Sequence, residues 1–212
     1  MKNKLILALT IAATAVMACK EVNNPILEIG AAAPKADVKM KDVSGTDMSL
    51  NDMKKENGLL VVFSCNTCPF VVGNPGKNSE GWENRYNPMH QVAEKAGVGM
   101  VLVNSNEAFR DGVDSFEKMQ EHARNNGYTM PYVVDANHVV ADAFGALTTP
   151  HIYLFDKNMK LVYKGAIDDN VNASAEVKET WLSDAIANMI AGKTIDPNST
   201  RQLGCSIKRV KS

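Results

Sequence analysis

Two stretches of the chain are apolar without alternation, Leu59 to Ser64 and Val98 to Asn104. Short continuous runs of this kind fit strands buried on both faces of a sheet. Between them, residues 70–96 carry a helical pattern through Trp82, Tyr86, Met89, Val92 and Ala93. Asn74-Pro75-Gly76 and Glu80-Gly81 interrupt that pattern, since both pairs favour turns. Asp114 with Glu117 three residues later predicts a capped helix start. That helix carries Phe116, Met119 and Ala123 and stops at Asn126-Gly127. Tyr132 to Asp135 reads as a short strand and Val139 to Phe144 as a short helix. Ile152 to Phe155 and Leu161 to Tyr163 read as strands around an Asp156-Lys157-Asn158 turn. A last helix holds Val177, Trp181, Leu182, Ala185, Ile186, Met189 and Ile190 on one face and ends at Gly192. Ahead of all these, Val38 to Lys41 and Met48 to Leu50 flank a Ser44-Gly45 turn as a β-hairpin. Strands alternating with helices predict an α/β fold: a central mixed sheet flanked by helices, with the hairpin as an N-terminal extension.

The first residues read as an address and not as part of the fold. Lys2 and Lys4 precede an apolar run, Leu5 to Ala18, which is too short to span a bilayer and suits a signal sequence. The run ends Val16-Met17-Ala18-Cys19, which resembles the bacterial lipobox, where cleavage precedes the cysteine and the cysteine is lipidated. An ordinary secretory signal with Cys19 in place by chance is the alternative, and both export the chain. The expected division is 1–18 as lipoprotein signal peptide, 19–29 as a polar tether and 30–212 as one domain. The expected location is the cell envelope, lipid-anchored at Cys19, where disulfides persist. At 45% hydrophobic residues the domain can bury a real core. A net charge of -1 without a Lys/Arg block excludes the electrostatic footprint of a nucleic-acid binder. The short Lys208-Arg209-Val210-Lys211 run reads as a solvated tail.

The candidate chemistry lies in the cysteines. If Cys19 carries lipid, Cys65, Cys68 and Cys205 remain, and three thiols cannot complete a disulfide framework. One close pair with one distant single suggests working thiols. Cys65-Asn66-Thr67-Cys68 follows the first buried strand directly and precedes a helix. Two intervening residues let the thiols close a small disulfide ring, and helix N–H groups favour the thiolate that attacks disulfides. Cys65 is expected as the exposed nucleophile and Cys68, one turn inward, as the resolving thiol, with Pro69 fitting a first turn. No metal and no cofactor are expected beyond the Cys65–Cys68 disulfide itself. Half a zinc site is one alternative, but His90, His122, His138 and His151 are scattered and no second pair completes it. A structural disulfide is another, although so short a loop gains little stability. Thr149-Pro150 precedes the strand hairpin, and sequence alone leaves Pro150 open between a loop proline and a cis bond. His151 lies one step further along a strand, which points it to the other face and favours a structural role.

Taken together the chain resembles the redoxin superfamily, in particular its peroxiredoxin-like, thioredoxin-fold members that carry CxxC. The resemblance is carried by Gly30 to Pro34, Leu59 to Val71, Val103 to Asn106, Gly127-Tyr128 with Pro131-Tyr132, Thr149 to His151, Leu161 to Gly165 with Ile167 to Asp169, and Gly204 to Lys208. It implies a thioredoxin-like fold, thiol redox activity, and a cis Thr149–Pro150 bond that faces the cysteines and docks a partner strand. It also includes a cysteine at position 205, either a third redox thiol or a buried small hydrophobe. The activity it implies is thiol–disulfide exchange on protein thiols and disulfides of the envelope, served by a redox donor or acceptor protein. Peroxiredoxins place their peroxidatic cysteine where Cys68 stands and a threonine where Cys65 stands, so a thiol peroxidase using Cys68 is the second reading. A copper carrier holding the metal on Cys65, Cys68 and His151 is the third. Thioredoxins bury an acid at the position of Leu59, so proton transfer here needs another group.

Overall fold

The computed structural model describes residues 25–210, so the expected signal peptide, Cys19 and the first part of the tether lie outside the described residues. A hairpin of β1 (Met40–Asp42) and β2 (Asp47–Met48) turns at Gly45, whose φ of +93° suits glycine. One helical turn, α1 (Leu50–Met53), is capped reciprocally by Ser49 and Asp52. β3 (Gly58–Phe63) then runs into the cysteine loop and α2 (Pro69–Val72). Irregular backbone with short 3₁₀ turns leads to α3 (Tyr86–Lys95), β4 (Val98–Asn104), α4 (Phe116–Asn125), β5 (Tyr132–Val134) and α5 (Val139–Phe144). The chain finishes with β6 (Thr148–Thr149), β7 (His151–Asp156), β8 (Leu161–Gly165), α6 (Trp181–Ile190) and β9 (Cys205–Ser206).

The strands form a mixed sheet. One ladder runs β2-β1-β5-β4 and a second runs β3-β7-β8. They adjoin along β4 and β3, where the Ser64 N–H donates to the Val103 carbonyl at 2.9 Å. β4 and β5 are parallel, and the remaining pairs of these ladders are antiparallel. Alternation along a strand sends successive side chains to opposite faces. Leu60 and Val62 of β3 therefore join a core with α3, α4 and α6, whereas Leu59, Val61 and Phe63 join a second core with α1 and α5. Both faces are covered, which is why β3 and β4 read as unbroken apolar runs. Cys65 and Cys68 belong to the first core.

Three local expectations change. The α4 cap is Ser115, which accepts from the Lys118 N–H, because the Asp114 carboxylate is drawn away to the cysteine loop. Residues 25–29 of the expected tether are part of the packed domain: the Leu27 N–H donates to the Phe144 carbonyl at 2.9 Å, and Ile26 and Leu27 lie on the second core. Within the basic C-terminal run, Lys208 and Arg209 are pinned to the domain and do not form a free tail. Lys208 N–H donates to Asn106 Oδ1 at 2.8 Å, and the Arg209 guanidinium bonds Asp142 and the Ala146 carbonyl at 2.7 Å each.

Candidate active site

The cysteine loop begins where β3 ends, with Phe63 paired to His151 across the ladder. Cys65 thus emerges beside the β6–β7 junction, and Asn66-Thr67 turns the chain into α2. The sequence places Pro69 in the first turn of the helix that follows the cysteines. In the structure the helix starts at Pro69 and Cys68 is its N-cap, with φ −68° and ψ 125°. The cause is steric: a proline bars the preceding residue from helical backbone, so the turn cannot begin before it. The Cys68 carbonyl accepts the first helical bonds, from Val71 N–H at 2.7 Å and Val72 N–H at 2.9 Å.

Cys65 is not exposed. It retains 2% of its accessible surface and Cys68 retains 4%, so neither thiol meets solvent as the helix is drawn up. The Thr149–Pro150 peptide is cis and faces both cysteines. Thr149 Oγ1 lies 3.2 Å from Cys65 Sγ, and the Thr149 carbonyl lies 3.0 Å from Cys68 Sγ. Cys205 completes the group, its N–H donating to Cys68 Sγ at 3.3 Å. The structure therefore brings Cys65, Cys68, Thr149, Pro150 and Cys205 together. Thr149, however, offers no free edge to a partner: it is buried and already paired with Cys205 in the β6–β9 ladder.

The three thiols divide protons unequally. Cys65 shares a hydrogen bond with Cys68 that favours its protonated form, and burial and the nearby Asp114 charge add to this, so its pKa lies well above the ordinary thiol value. The same bond, donated to Cys68, lowers Cys68, and contacts from Cys205 and the Phe70 backbone help against an opposing cost of burial. The Thr149 carbonyl favours a protonated Cys68, but the donors outnumber this one acceptor. Cys68 is held down at about 5. Burial, and then contact with Cys68, push Cys205 up to about 11. Of the three thiols, Cys68 is therefore the one whose surroundings favour loss of its proton, while those of Cys65 and Cys205 favour keeping theirs.

This charge pattern sets a pH dependence. Unfolded, Cys68 keeps its proton up to about pH 8.5, whereas folded it releases it near 5. Over that window the unfolded state binds more protons, so the reduced protein gains stability as pH rises and loses the Cys68 contribution as pH falls through about 5. Urea unfolding of the reduced protein between these limits is expected to show a midpoint that climbs with pH. A thiolate absorbance titration should show one cysteine ionised before neutrality.

Behind the loop lies a polar network that sequence reasoning missed. Asp114 is fully buried; its carboxylate accepts from the Asn66 N–H at 3.0 Å, Asn104 Nδ2 at 2.8 Å and Asn106 Nδ2 at 3.0 Å. Asn66, between the two cysteines, is held again through its side chain, which donates to the Val113 carbonyl and accepts from Tyr132 O–H, both at 2.9 Å. These bonds fix the cysteine loop to β4, β5 and the start of α4. No spacing in the sequence signals them, because their partners come from separate segments. The arginines of this region are engaged elsewhere: Arg85 with Asp168, and Arg110 with Glu107 and the Asn104 carbonyl. His151 is buried against the Tyr153 hydroxyl, 3.2 Å from Nδ1, and burial holds its pKa down at about 3. It serves the second core as a neutral ring. Among the described residues no cluster of three or more His, Cys, Asp or Glu is arranged to hold a metal ion.

A mixed sheet that presents a buried cysteine pair to a cis proline defines a thioredoxin-fold thiol redox enzyme. The chain belongs to the AhpC/TSA family, whose model matches residues 29–164, a span that includes Cys65, Cys68 and Pro150 but stops short of Cys205. Among solved structures, an uncharacterized conserved protein from Geobacillus kaustophilus is 31% identical with a TM-score of 0.77, covering 87% of this chain and 94% of that one. A hypothetical protein from Sinorhizobium meliloti 1021 is 28% identical with a TM-score of 0.77, covering 89% and 98%. The thioredoxin domain of a thiol-disulfide oxidoreductase from Bacteroides vulgatus is 21% identical with a TM-score of 0.51, covering 71% and 96%, and shares the fold. No curated protein was found to match.

Proposed function

We propose that the protein is a thiol–disulfide oxidoreductase of the cell envelope in which Cys68 attacks and Cys65 resolves. The order is the reverse of the sequence expectation, and the observation that carries the reading is geometric: both thiols meet at the cis Thr149–Pro150 step, where the hydrogen bond that Cys65 gives to Cys68 lowers the Cys68 pKa and raises that of Cys65. Cys68 Sγ attacks one sulfur of a partner disulfide, and the other partner sulfur leaves as a thiolate. Once Cys68 is bonded it no longer draws on the Cys65 hydrogen bond, which removes the largest cause of the high Cys65 pKa. Cys65 then gives up its proton and attacks Cys68 Sγ. The partner departs fully reduced, and the enzyme carries the Cys65–Cys68 disulfide. Run backwards, the same steps oxidise a dithiol.

The Val16-Met17-Ala18-Cys19 sequence supports the envelope location and lipid attachment at Cys19. Protein thiols and disulfides of that compartment are then the substrates, with a redox donor or acceptor protein as partner. A thiol peroxidase is the second reading, favoured by the thiolate character of Cys68 at a helix N-cap. Cys65 in place of a threonine, and the engagement of Arg85 and Arg110 away from the thiols, favour disulfides over peroxide. The test presents the reduced protein with a disulfide-bonded protein such as insulin and, separately, with hydrogen peroxide. Reduction of insulin with loss of two enzyme thiols is expected. Fast peroxide consumption with insulin left intact would replace exchange by the peroxidase reading.

A further inference from the structure

The C-terminal strand lies where a substrate strand would lie. β9 runs antiparallel to β6, with Thr149 opposite Cys205 and Thr148 opposite Ser206. The approach is close enough that a Cβ on Gly204 would stand 2.3 Å from the Thr149 carbonyl oxygen. Beyond it, Ile207 is buried and its N–H donates to the Leu147 carbonyl at 3.0 Å, and the Lys208 carbonyl accepts from Ala108 N–H at 2.9 Å. Cys205 N–H reaches Cys68 Sγ although 137 residues separate them in sequence. Of the two paired cysteines, Cys68 is the one that Cys205 touches, through both backbone and side chain.

From this geometry we infer that Cys205 is a third redox thiol on a built-in substrate strand, taking over the Cys65–Cys68 disulfide and holding it as Cys68–Cys205. The inference rests on the exchange reading of Cys65–Cys68. In the step itself, Cys205 loses its proton and its sulfur attacks Cys68 Sγ. The Cys65–Cys68 bond breaks, the Cys68–Cys205 bond forms, and Cys65 leaves as a thiolate that takes up a proton. One disulfide becomes another, so no external oxidant or reductant enters. The consequence is regulatory. While Cys68–Cys205 persists, the Thr149 edge is closed to every other strand and Cys68 is blocked. Reduction of that bond, or its return to Cys65–Cys68, removes the covalent tie, so that β9 is held on the Thr149 edge by non-covalent contacts alone and a partner strand can compete for it.

The test uses the intact chain with Cys19→Ser, and the same chain with Cys65→Ser or Cys205→Ser added. Each is equilibrated in glutathione redox buffers, trapped with an alkylating agent and digested with trypsin. Cys65 and Cys68 fall in one tryptic peptide, residues 56–77, and Cys205 falls in another, residues 202–208. The Cys65→Ser chain is expected to link the two peptides by a disulfide without retaining glutathione. The Cys19→Ser parent is expected to show linked peptides beside an internally bridged 56–77 peptide. Glutathione left on Cys68 with Cys205 alkylated in the Cys65→Ser chain, and no linked peptides in the parent, would overturn the inference while Cys205→Ser still forms Cys65–Cys68. Absence of the Cys65–Cys68 bond from both the parent and Cys205→Ser would overturn the exchange reading and the inference with it. The parent measurement stands even where a variant folds poorly.

Discussion

Cys68→Ser is expected to abolish disulfide exchange outright and to remove every intramolecular disulfide of the domain at once. Cys68 is the one sulfur common to the Cys65–Cys68 and Cys68–Cys205 bonds and the one thiol whose pKa its surroundings lower. A serine hydroxyl does not ionise near neutrality and does not attack disulfides. The fold should survive the change, because serine keeps the polar partners: its O–H can donate to the Thr149 carbonyl and its oxygen can accept from the Cys205 N–H. At about pH 5 and below, where Cys68 ionisation adds no stability, a loss of about 1 kcal/mol or less is expected for a buried polar group so satisfied. Insulin reduction read beside urea unfolding separates the two effects. Turnover should fall to the buffer background, with the unfolding midpoint nearly unmoved at about pH 5 and its climb with rising pH lost. Cys65→Ser combined with Cys205→Ser, by contrast, should still form a mixed disulfide with substrate but fail to release it, since neither neighbouring thiol is left to displace it.

Asp114→Ala is expected to produce the largest loss of stability, about 3–5 kcal/mol, with a loosened cysteine loop. The carboxylate is fully buried and satisfies the Asn66 N–H and the side-chain amides of Asn104 and Asn106. Alanine leaves those donors buried without an acceptor, each at a cost of roughly 1–3 kcal/mol before the loop relaxes. Removal of the negative charge also takes away one cause that raises the Cys65 pKa, so Cys65 should titrate lower in the variant. Asp114→Asn keeps one acceptor but turns a second donor toward Asn106, and should fall between the two in stability while showing the same downward move of Cys65. Urea unfolding and thiolate titration of both variants check these outcomes. Unchanged stability in Asp114→Ala would mean that the network does not hold the loop.

The parts of the fold legible in the sequence are those whose cause is local. β4 spans Val98–Asn104 and α5 spans Val139–Phe144, as the apolar runs and spacing predict, because burial on both faces and a single helical stripe leave direct marks in the chain. The cis bond at Thr149–Pro150 came through resemblance, since nothing in a lone X–Pro step fixes its isomer. The start of α4 was misread because Asp114 and Ser115 are both good caps, and only the distant amides of Asn66, Asn104 and Asn106 decide which one is free to cap. The start of the cysteine helix follows a nearer rule. Pro69 forbids helical backbone at Cys68, so Cys68 is the N-cap and the helix opens at the proline, as its place in a first turn implies. The place of Cys205 came only through the resemblance, which left it open between a third redox thiol and a buried small hydrophobe. Its position depends on a two-residue ladder with Thr148–Thr149, and so short a strand carries no periodicity.

The most direct test of the central claim is an equilibrium redox titration of the intact Cys19→Ser, Cys205→Ser chain across glutathione ratios, read by thiol trapping and mass mapping. A single reversible two-electron transition, with the disulfide confined to the 56–77 peptide, is the predicted result. Cys65 and Cys68 remaining separately alkylated or separately glutathionylated across the whole range would contradict the account.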